Sequence, residues 1–446
     1  MSKRLVILGG GESGVGAALL AKKEGYEVCL MDEGSLKEGY RRELQAAGIT
    51  YHEEGIDESL LLSADEIVKS PGIPEKNPWM EKIRKKDIRV ISEIELAYRH
   101  KGKSRIIAIT GSNGKSTTTS LIYHICRHAG LDCALVGNIG FSIARQVAMD
   151  PKEWYVAEIS SFQLDDIITF RPEVALLLNI TEDHLDRYEY QFSKYISSKF
   201  RIAMNQTSED HFIYNIDDEV ITKYLEQNPI KSNLLPISMK QKVDKGGYIK
   251  NDELHVKVNQ EQQQMSIYDF ALKGKHNQYN TMAASVAGAT MDIRKNKIRE
   301  AVQTFENLEH RMELVATVRG VEFINDSKAT NVNSTWFALE SMTKPTVLIL
   351  GGIDKGNDYT LLDELVMNNV KGIVCMGIDN SKIHQAFEGK VSSIVDTASA
   401  EDAVLAAYQM AVPGDVVLLS PACASFDLFR NYEDRGKQFK EAVKNL

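Results

Sequence analysis

The sequence predicts an α/β protein made of three domains in series, each with a doubly wound, mostly parallel sheet. Three observations carry this expectation. Short runs rich in Val, Ile and Leu, such as Leu5–Leu8, Arg105–Ile109 and Thr346–Leu350, lack the strict alternation of half-exposed strands and read as parallel strands covered on both faces. Helical stretches follow these runs in a regular βα rhythm. At 446 residues the chain is also too long for a single core. The expected boundaries are 1–93, 94–307 and 308–446.

In the first segment, Leu5–Leu8 is a short buried strand, and Gly9-x-Gly11-x-x-Gly14 opens a helix running to about Glu24. Val28–Met31 is the next strand, ending at Asp32. This is the glycine fingerprint of a Rossmann-like unit, in which the glycines start a helix that faces a phosphate and the acid lies at the next strand's end. The strand Glu66–Lys69 leads into Ser70-Pro71-Gly72-Ile73-Pro74, a rigid loop at the same sheet edge. By itself that loop is equally well read as a tight turn fixed by two prolines.

The second segment carries the strongest motif. Thr110-Gly111-Ser112-Asn113-Gly114-Lys115-Ser116-Thr117 follows the strand Arg105–Ile109 and precedes a helical pattern. Such a loop turns backbone N–H groups and a helix N-terminus toward one point, Lys115 adds a positive charge, and the Ser116 hydroxyl suits a magnesium ion. It is the short form of the phosphate loop, because Ile109 stands where the longer pattern has its first glycine. A nucleoside triphosphate is the expected ligand. The strand Trp154–Ile159 contains Glu158 near its end, and Val174–Ile180 is followed by Thr181-Glu-Asp-His-Leu-Asp-Arg187. Glu158, Asp183, His184 and Asp186 are thereby candidate metal ligands at strand ends, Glu158 the foremost. Lys199, in the expected helix Tyr195–Ile202, reads on sequence alone as a solvated surface lysine. Residues 236–272 look like antiparallel strands with a hairpin turn at 250–253. Asn277 precedes an alanine-rich stretch and is expected to cap that helix.

In the third segment the strands Val321–Ile324, Thr346–Leu350, Gly372–Met376 and Asp415–Leu419 alternate with helices. Asn325-Asp-Ser-Lys-Ala-Thr-Asn331 and Ser420-Pro-Ala-Cys-Ala-Ser425 both begin at strand carboxyl ends, where ligands of doubly wound sheets bind. Lys328 suits an anion there, whereas Cys423 reads as packing.

Composition excludes some partners. A net charge of −9 argues against nucleic-acid polymers and anionic membrane surfaces. The five scattered cysteines, Cys29, Cys126, Cys133, Cys375 and Cys423, fit reduced thiols. The apolar stretch after Lys3-Arg4 is broken by Gly9–Glu12, too early for a secretion signal. A cytoplasmic location is expected.

Taken together, Thr110–Thr117, Glu158-Ile-Ser-Ser-Phe-Gln-Leu164, Asn179–Arg187, His276-Asn277 and Asn325–Asn331 closely resemble the motifs of the Mur ligases of peptidoglycan synthesis. Ser70–Ile73 and Ser420–Ser425 resemble the branch of that family that adds D-glutamate. The resemblance covers all three segments. It implies a Rossmann-like N-terminal domain for the UDP of UDP-N-acetylmuramoyl-L-alanine, a central P-loop ATPase-type domain for ATP and Mg2+, expected as two ions, and a Rossmann-like C-terminal domain for D-glutamate. The implied activity is an ATP-dependent amide ligase working through an acyl phosphate, as a monomer.

By the same resemblance, Lys115, Glu158, His184 and Lys199 are catalytic. Gly111 to Thr117, Asn277, Asn280, Arg311 and Asp326 are ATP-binding, and Ser116, Glu158, His184 and a carbamylated Lys199 are metal-binding. Gly11, Ser13, Gly14, Asp32, Ser70, Pro71, Gly72, Asn138, Ser160 and His184 are implied to hold the UDP substrate. Lys328, Thr330, Lys355, Ser425 and Tyr432 are implied to hold D-glutamate. Two positions depart from the family. Tyr432 stands where many members have Phe, and Glu33-Gly34 replaces an Arg near the uracil. An NAD-dependent oxidoreductase, suggested by the first fingerprint and Asp32, and a nucleotide-regulated binding protein are the competing readings.

Overall fold

The computed structural model describes residues 2–258, 261–306 and 308–446. Among these residues the strands fall into three sheets. The first joins β1 (Arg4–Leu8), β2 (Glu27–Met31), β3 (Thr50–His52), β4 (Glu66–Lys69) and β5 (Arg89–Ser92) in the order β3-β2-β1-β4-β5, all parallel. The chain winds outward from β1 in both directions, so a crevice opens at the carboxyl ends of β1 and β4. Gly9 and Ser70 meet there, the Ser70 hydroxyl donating to the Gly9 carbonyl at 3.3 Å. Gly14 is required by the fit of helix to loop: a Cβ at that position would lie 1.8 Å from the Gly9 carbonyl oxygen.

The second sheet contains β6 (Arg105–Thr110), β7 (Cys133–Gly137), β8 (Trp154–Glu158), β9 (Val174–Leu177), β10 (His211–Asn215), β11 (Asn233–Ser238), β12 (Gly246–Lys250), β13 (Glu253–Val258) and β14 (Glu261–Ser266). Their order is β14-β13-β12-β11-β10-β9-β6-β8-β7. The carboxyl ends of β8, β6 and β9 are adjacent, which gathers Glu158, the phosphate loop and the segment from Asn179 at one edge.

The expected antiparallel region is only partly so. β12, β13 and β14 are antiparallel with the turn at 250–253 as expected, but β11 runs parallel to both β10 and β12. Residues 259 and 260 of that region lie outside the described residues, as does the expected boundary at 307. The strand expected over 174–180 stops at Leu177, where Leu178 and Asn179 turn to pair with the phosphate loop.

The third sheet has the order β15-β16-β20-β17-β18-β19, from β15 (Glu313–Val318), β16 (Val321–Asn325), β17 (Thr346–Leu350), β18 (Val370–Met376), β19 (Ile394–Thr397) and β20 (Val416–Leu419). Among the described residues β15 is the one strand of this sheet that pairs antiparallel.

The chain forms two compact units, one of residues 1–271 with 277–305, the other of 272–276 with 306–446. The first two sheets thus share a unit, and polar ties join them. The Glu95 carboxylate, fully buried, accepts from the backbone N–H groups of Ile168, Thr169 and Phe170 and from the Thr169 hydroxyl. Lys69, also buried, pairs with Asp166 at 2.9 Å. Glu93 accepts from the Ala144 N–H at 2.5 Å, and burial pushes its carboxyl up to about 8, with the nearby Glu12 charge adding to the shift.

That shift has a sign. The folded protein keeps the Glu93 proton between the ordinary carboxylate range and about 8, whereas the unfolded chain releases it, so this group's contribution to stability falls as pH rises through that window. Glu93→Gln is therefore expected to gain on wild type by about 1–2 kcal/mol between pH 6 and pH 8. Denaturant unfolding of both proteins at the two pH values checks this, and equal pH dependence would contradict it.

Candidate active site

The phosphate loop is built by two elements and a clamp. β6 ends at Thr110, and the helix Lys115–His128 begins after Gly114, whose φ of 81° is a left-handed conformation that glycine adopts without strain. Asn179 closes the loop from β9: its side chain accepts from the Asn113 N–H at 2.8 Å and donates to the Asn113 carbonyl at 3.0 Å. The Ser112 hydroxyl donates to the Thr181 carbonyl and lies 3.1 Å from the Tyr195 hydroxyl. Asn179 carried no role in the sequence reading, although it opens the quoted motif.

Lys115 folds back on this loop, donating to the Gly111 and Ser112 carbonyls at 2.8 Å each. Lys199 corrects the surface reading made from sequence alone. It is 2% exposed on the helix Phe192–Phe200 and donates to the same Gly111 carbonyl at 2.8 Å. Its ammonium lies 4.5 Å from the centre of the Tyr195 ring. Burial first, and then the Lys115 charge, hold its pKa well below the usual lysine range.

Glu158 ends β8 in register with Ile109, is buried, and accepts from the Asn138 amide at 2.8 Å. His184 has a left-handed φ of 52°, places Nε2 3.6 Å from Asp183, and meets the Phe162 ring edge-on. Ser116 and Thr117 are buried in the first turn of the loop helix. Glu158, Ser116 and His184 thus lie at or after the ends of β8, β6 and β9, and the carboxylate and hydroxyl oxygens among them are of the kind a hard divalent cation takes.

Asn277 does not cap its helix. The helix runs Lys275–Thr290, and Asn277 lies buried within its first turn, where its Oδ1 accepts from Asn280 at 3.2 Å. Asn280 in turn touches the phosphate loop: a Cβ on Gly114 would lie 2.5 Å from its Oδ1.

The crevice of the first sheet opens into a cleft of about 460 Å³. Gly11, Ser13, Asp32, Ser70, Pro71, Gly72 and Asn138 line it, so seven residues expected to hold the UDP substrate come together. Gly14 lies buried in the helix behind them, and Ser160 instead caps the helix Ser161–Leu164 through a reciprocal pair with Gln163, which does line the cleft. Asp32 organises its loop, accepting from Gly10 and Gly34. Glu33, at the departure from the family, is held by Trp79 at 3.0 Å and Asn77 at 3.3 Å along an adjoining small cavity.

In the other unit, Asp326 follows β16 and accepts from Ser420 at 2.9 Å and from the Met312 N–H, next to Arg311; burial raises its carboxyl to about 7. Lys328 lies 5.1 Å from the Tyr432 ring, and Ser327 donates to the Tyr432 carbonyl. Ser425 is buried after β20, and Lys355 is exposed on the loop after β17, which pairs with Ala424 through Ile353. Thr330 is half-buried on the Lys328 loop.

Arg435 was missed by the sequence reading. It is 1% exposed and donates to Ser327 twice and to the Cys423 carbonyl, fastening both loops. Its position one turn beyond Tyr432 was the available signal. The Cys423 thiol is buried, 3.2 Å from the Tyr359 hydroxyl, and pushed up to about 11, as suits packing. All five cysteines are buried and free.

Comparison with known proteins identifies the family. Three family descriptions match in succession: Mur ligase MurD-like, N-terminal domain, over residues 3–92; Mur ligase middle domain over 109–288; and Mur ligase, glutamate ligase domain, over 310–423. The chain is 52% identical over 446 residues to a UDP-N-acetylmuramoylalanine--D-glutamate ligase of Christiangramia forsetii, with all of both chains covered. It is 51% identical over 444 residues to a protein of that name from Porphyromonas gingivalis, covering 99% of this chain and 98% of the relative. Among solved structures, a pseudomurein peptide ligase type C from Methanothermus fervidus shares the fold with a TM-score of 0.63 at 18% identity, both chains covered in full. With family matches in all three segments and full-length relatives at half identity, the chain belongs to the Mur ligase family.

Proposed function

We propose that this protein joins D-glutamate to UDP-N-acetylmuramoyl-L-alanine at the expense of ATP, in peptidoglycan synthesis. The observation that carries the reading is the phosphate loop at which Lys115 and Lys199 converge on the Gly111 carbonyl, with Glu158 buried at the adjacent strand end. The substrates follow from those of the full-length relatives, which are UDP-N-acetylmuramoylalanine--D-glutamate ligases.

Charge explains the need for the machinery. The alanyl carboxylate and the γ-phosphate of ATP are both anions, and an amine does not attack a carboxylate at a useful rate. Transfer of the γ-phosphoryl group to the carboxylate gives an acyl phosphate and releases ADP; attack by the D-glutamate amine then expels phosphate, and loss of a proton from the nitrogen leaves the amide. Lys115, the loop N–H groups and the N-terminus of the helix Lys115–His128 neutralise the meeting of the anions. Ser116, Glu158, His184 and a carbamylated Lys199 would hold Mg2+, which when bound screens phosphate charge. Asn277, Asn280, Arg311 and Asp326 serve ATP; Gly11, Ser13, Gly14, Asp32, Ser70, Pro71, Gly72, Asn138, Ser160 and His184 serve the UDP substrate.

Lys328, Thr330, Lys355, Ser425 and Tyr432 take D-glutamate, with the Tyr432 hydroxyl an added polar group. Residues 1–93, 94–307 and 308–446 are assigned to UDP substrate, ATP and amino acid respectively. The protein works in the cytoplasm as a monomer. The oxidoreductase reading, which rested on the first fingerprint and Asp32, finds no support in the full-length relatives, which are ligases.

Phosphate release is expected to require both UDP-N-acetylmuramoyl-L-alanine and D-glutamate, with oxygen from the alanyl carboxylate appearing in the phosphate. Equal turnover with L-lysine or meso-diaminopimelate would refute the acceptor, and absence of the transferred oxygen would refute the acyl phosphate.

A further inference from the structure

Arg187 lies in the turn Leu185–Tyr188 that follows His184, and its side chain reaches the loop after β4. The guanidinium donates to three successive carbonyls of that loop: Pro71 at 2.9 Å, Gly72 at 3.3 Å and Ile73 at 3.3 Å. Its face lies 4.3 Å from the centre of the Phe162 ring. Phe162 is also stacked on Tyr188 and meets His184 edge-on at 5.3 Å. The backbone N–H of Arg187 donates to the His184 carbonyl at 3.0 Å. Arg187 therefore links the wall of the first-sheet cleft, held by its guanidinium, to His184, which its backbone N–H and the Phe162 ring contact.

The chemistry of the contact is specific to arginine. A planar guanidinium offers several donors in a fixed fork and can stack on an aromatic face at the same time, whereas an ammonium is a compact point charge. The effect on the loop is directional. In a trans peptide the N–H points opposite to the C=O, so holding the Pro71 carbonyl on Arg187 turns the Gly72 N–H to the other side. Pro71, Gly72 and Ile73 line the cleft of about 460 Å³.

We propose that Arg187 is a positioning residue for the nucleotide-sugar substrate: it fixes the 71–73 wall in the conformation that receives a uridine-diphosphate group and ties that wall to His184. The identity of the ligand rests on the function proposed above; the role of Arg187 as the fastener of the wall does not.

The test is calorimetric titration of wild type, Arg187→Met, Arg187→Lys and Phe162→Leu with UDP-N-acetylmuramoyl-L-alanine and, separately, with ADP and Mg2+. Arg187→Met is expected to weaken the nucleotide-sugar affinity about tenfold, the loss of a charge-assisted contact set, while ADP affinity stays within about twofold. Arg187→Lys should fall between, Phe162→Leu should show a smaller loss of the same selectivity, and added guanidinium should restore part of the Arg187→Met loss. Unchanged nucleotide-sugar binding in Arg187→Met overturns the proposal, as does an equal loss for both ligands in Arg187→Lys and Phe162→Leu. Wild type that binds ADP but no UDP-N-acetylmuramoyl-L-alanine would instead overturn the proposed substrate.

Discussion

Lys199→Ala is expected to reduce ligation below detection, and a small carboxylate such as acetate is expected to restore part of it. The arrangement of the two lysines is unfavourable as long as both are charged. Lys199 is buried, and both its ammonium and that of Lys115 donate to the Gly111 carbonyl. Two cations near one oxygen repel, and both burial and the Lys115 charge depress the Lys199 pKa. A neutral amine is the form that adds to carbon dioxide: an N–C bond forms, a proton leaves, and the side chain becomes a carbamate anion. That change turns repulsion by Lys115 into attraction and supplies oxygen ligands for a divalent cation. Removing the side chain leaves space for acetate to take the same place. Full activity of Lys199→Ala would remove the carbamate from the mechanism. Lost activity without carboxylate rescue would assign Lys199 to holding the Gly111 carbonyl instead.

Lys115→Ala is expected to lose about 10²- to 10³-fold in rate, the usual effect of deleting one positioned charge contact in phosphoryl or acyl transfer. The fold should survive, because Asn179 and Ser112 clamp the loop independently of Lys115. Circular dichroism with phosphate-release rates separates the two effects. Near-normal product formation would discredit the phosphate cradle.

The sheets and the phosphate loop were legible because their signals are local: apolar runs set the strands, and glycines followed by Lys115 set the turn. The carboxyl-end rule then placed Glu158 and Asp326 correctly without any contact information. Burial of Lys199 was not legible, since the helix Phe192–Phe200 is covered by residues distant in sequence, including Gly111 and Ser161. The direction of β11 was missed for a similar reason: parallel or antiparallel pairing is decided by the neighbour, here β10. Arg187 and Arg435 escaped because their importance lies in carbonyls that only tertiary structure assembles.

The Glu95 side chain has a consequence for how the protein can be divided. Residues 93–100 form one helix, so a cut after 93 severs it near its start and hands Glu95 to the central piece. There the carboxylate would keep the amides of Ile168, Thr169 and Phe170 while losing the first sheet's Glu66, which shares Arg99 with it. Asp166 would lose Lys69, the buried ammonium it pairs with across the seam. Exchange of the amino-terminal module between relatives therefore succeeds only when these partners travel together, which makes the seam between the first two sheets an inherited unit.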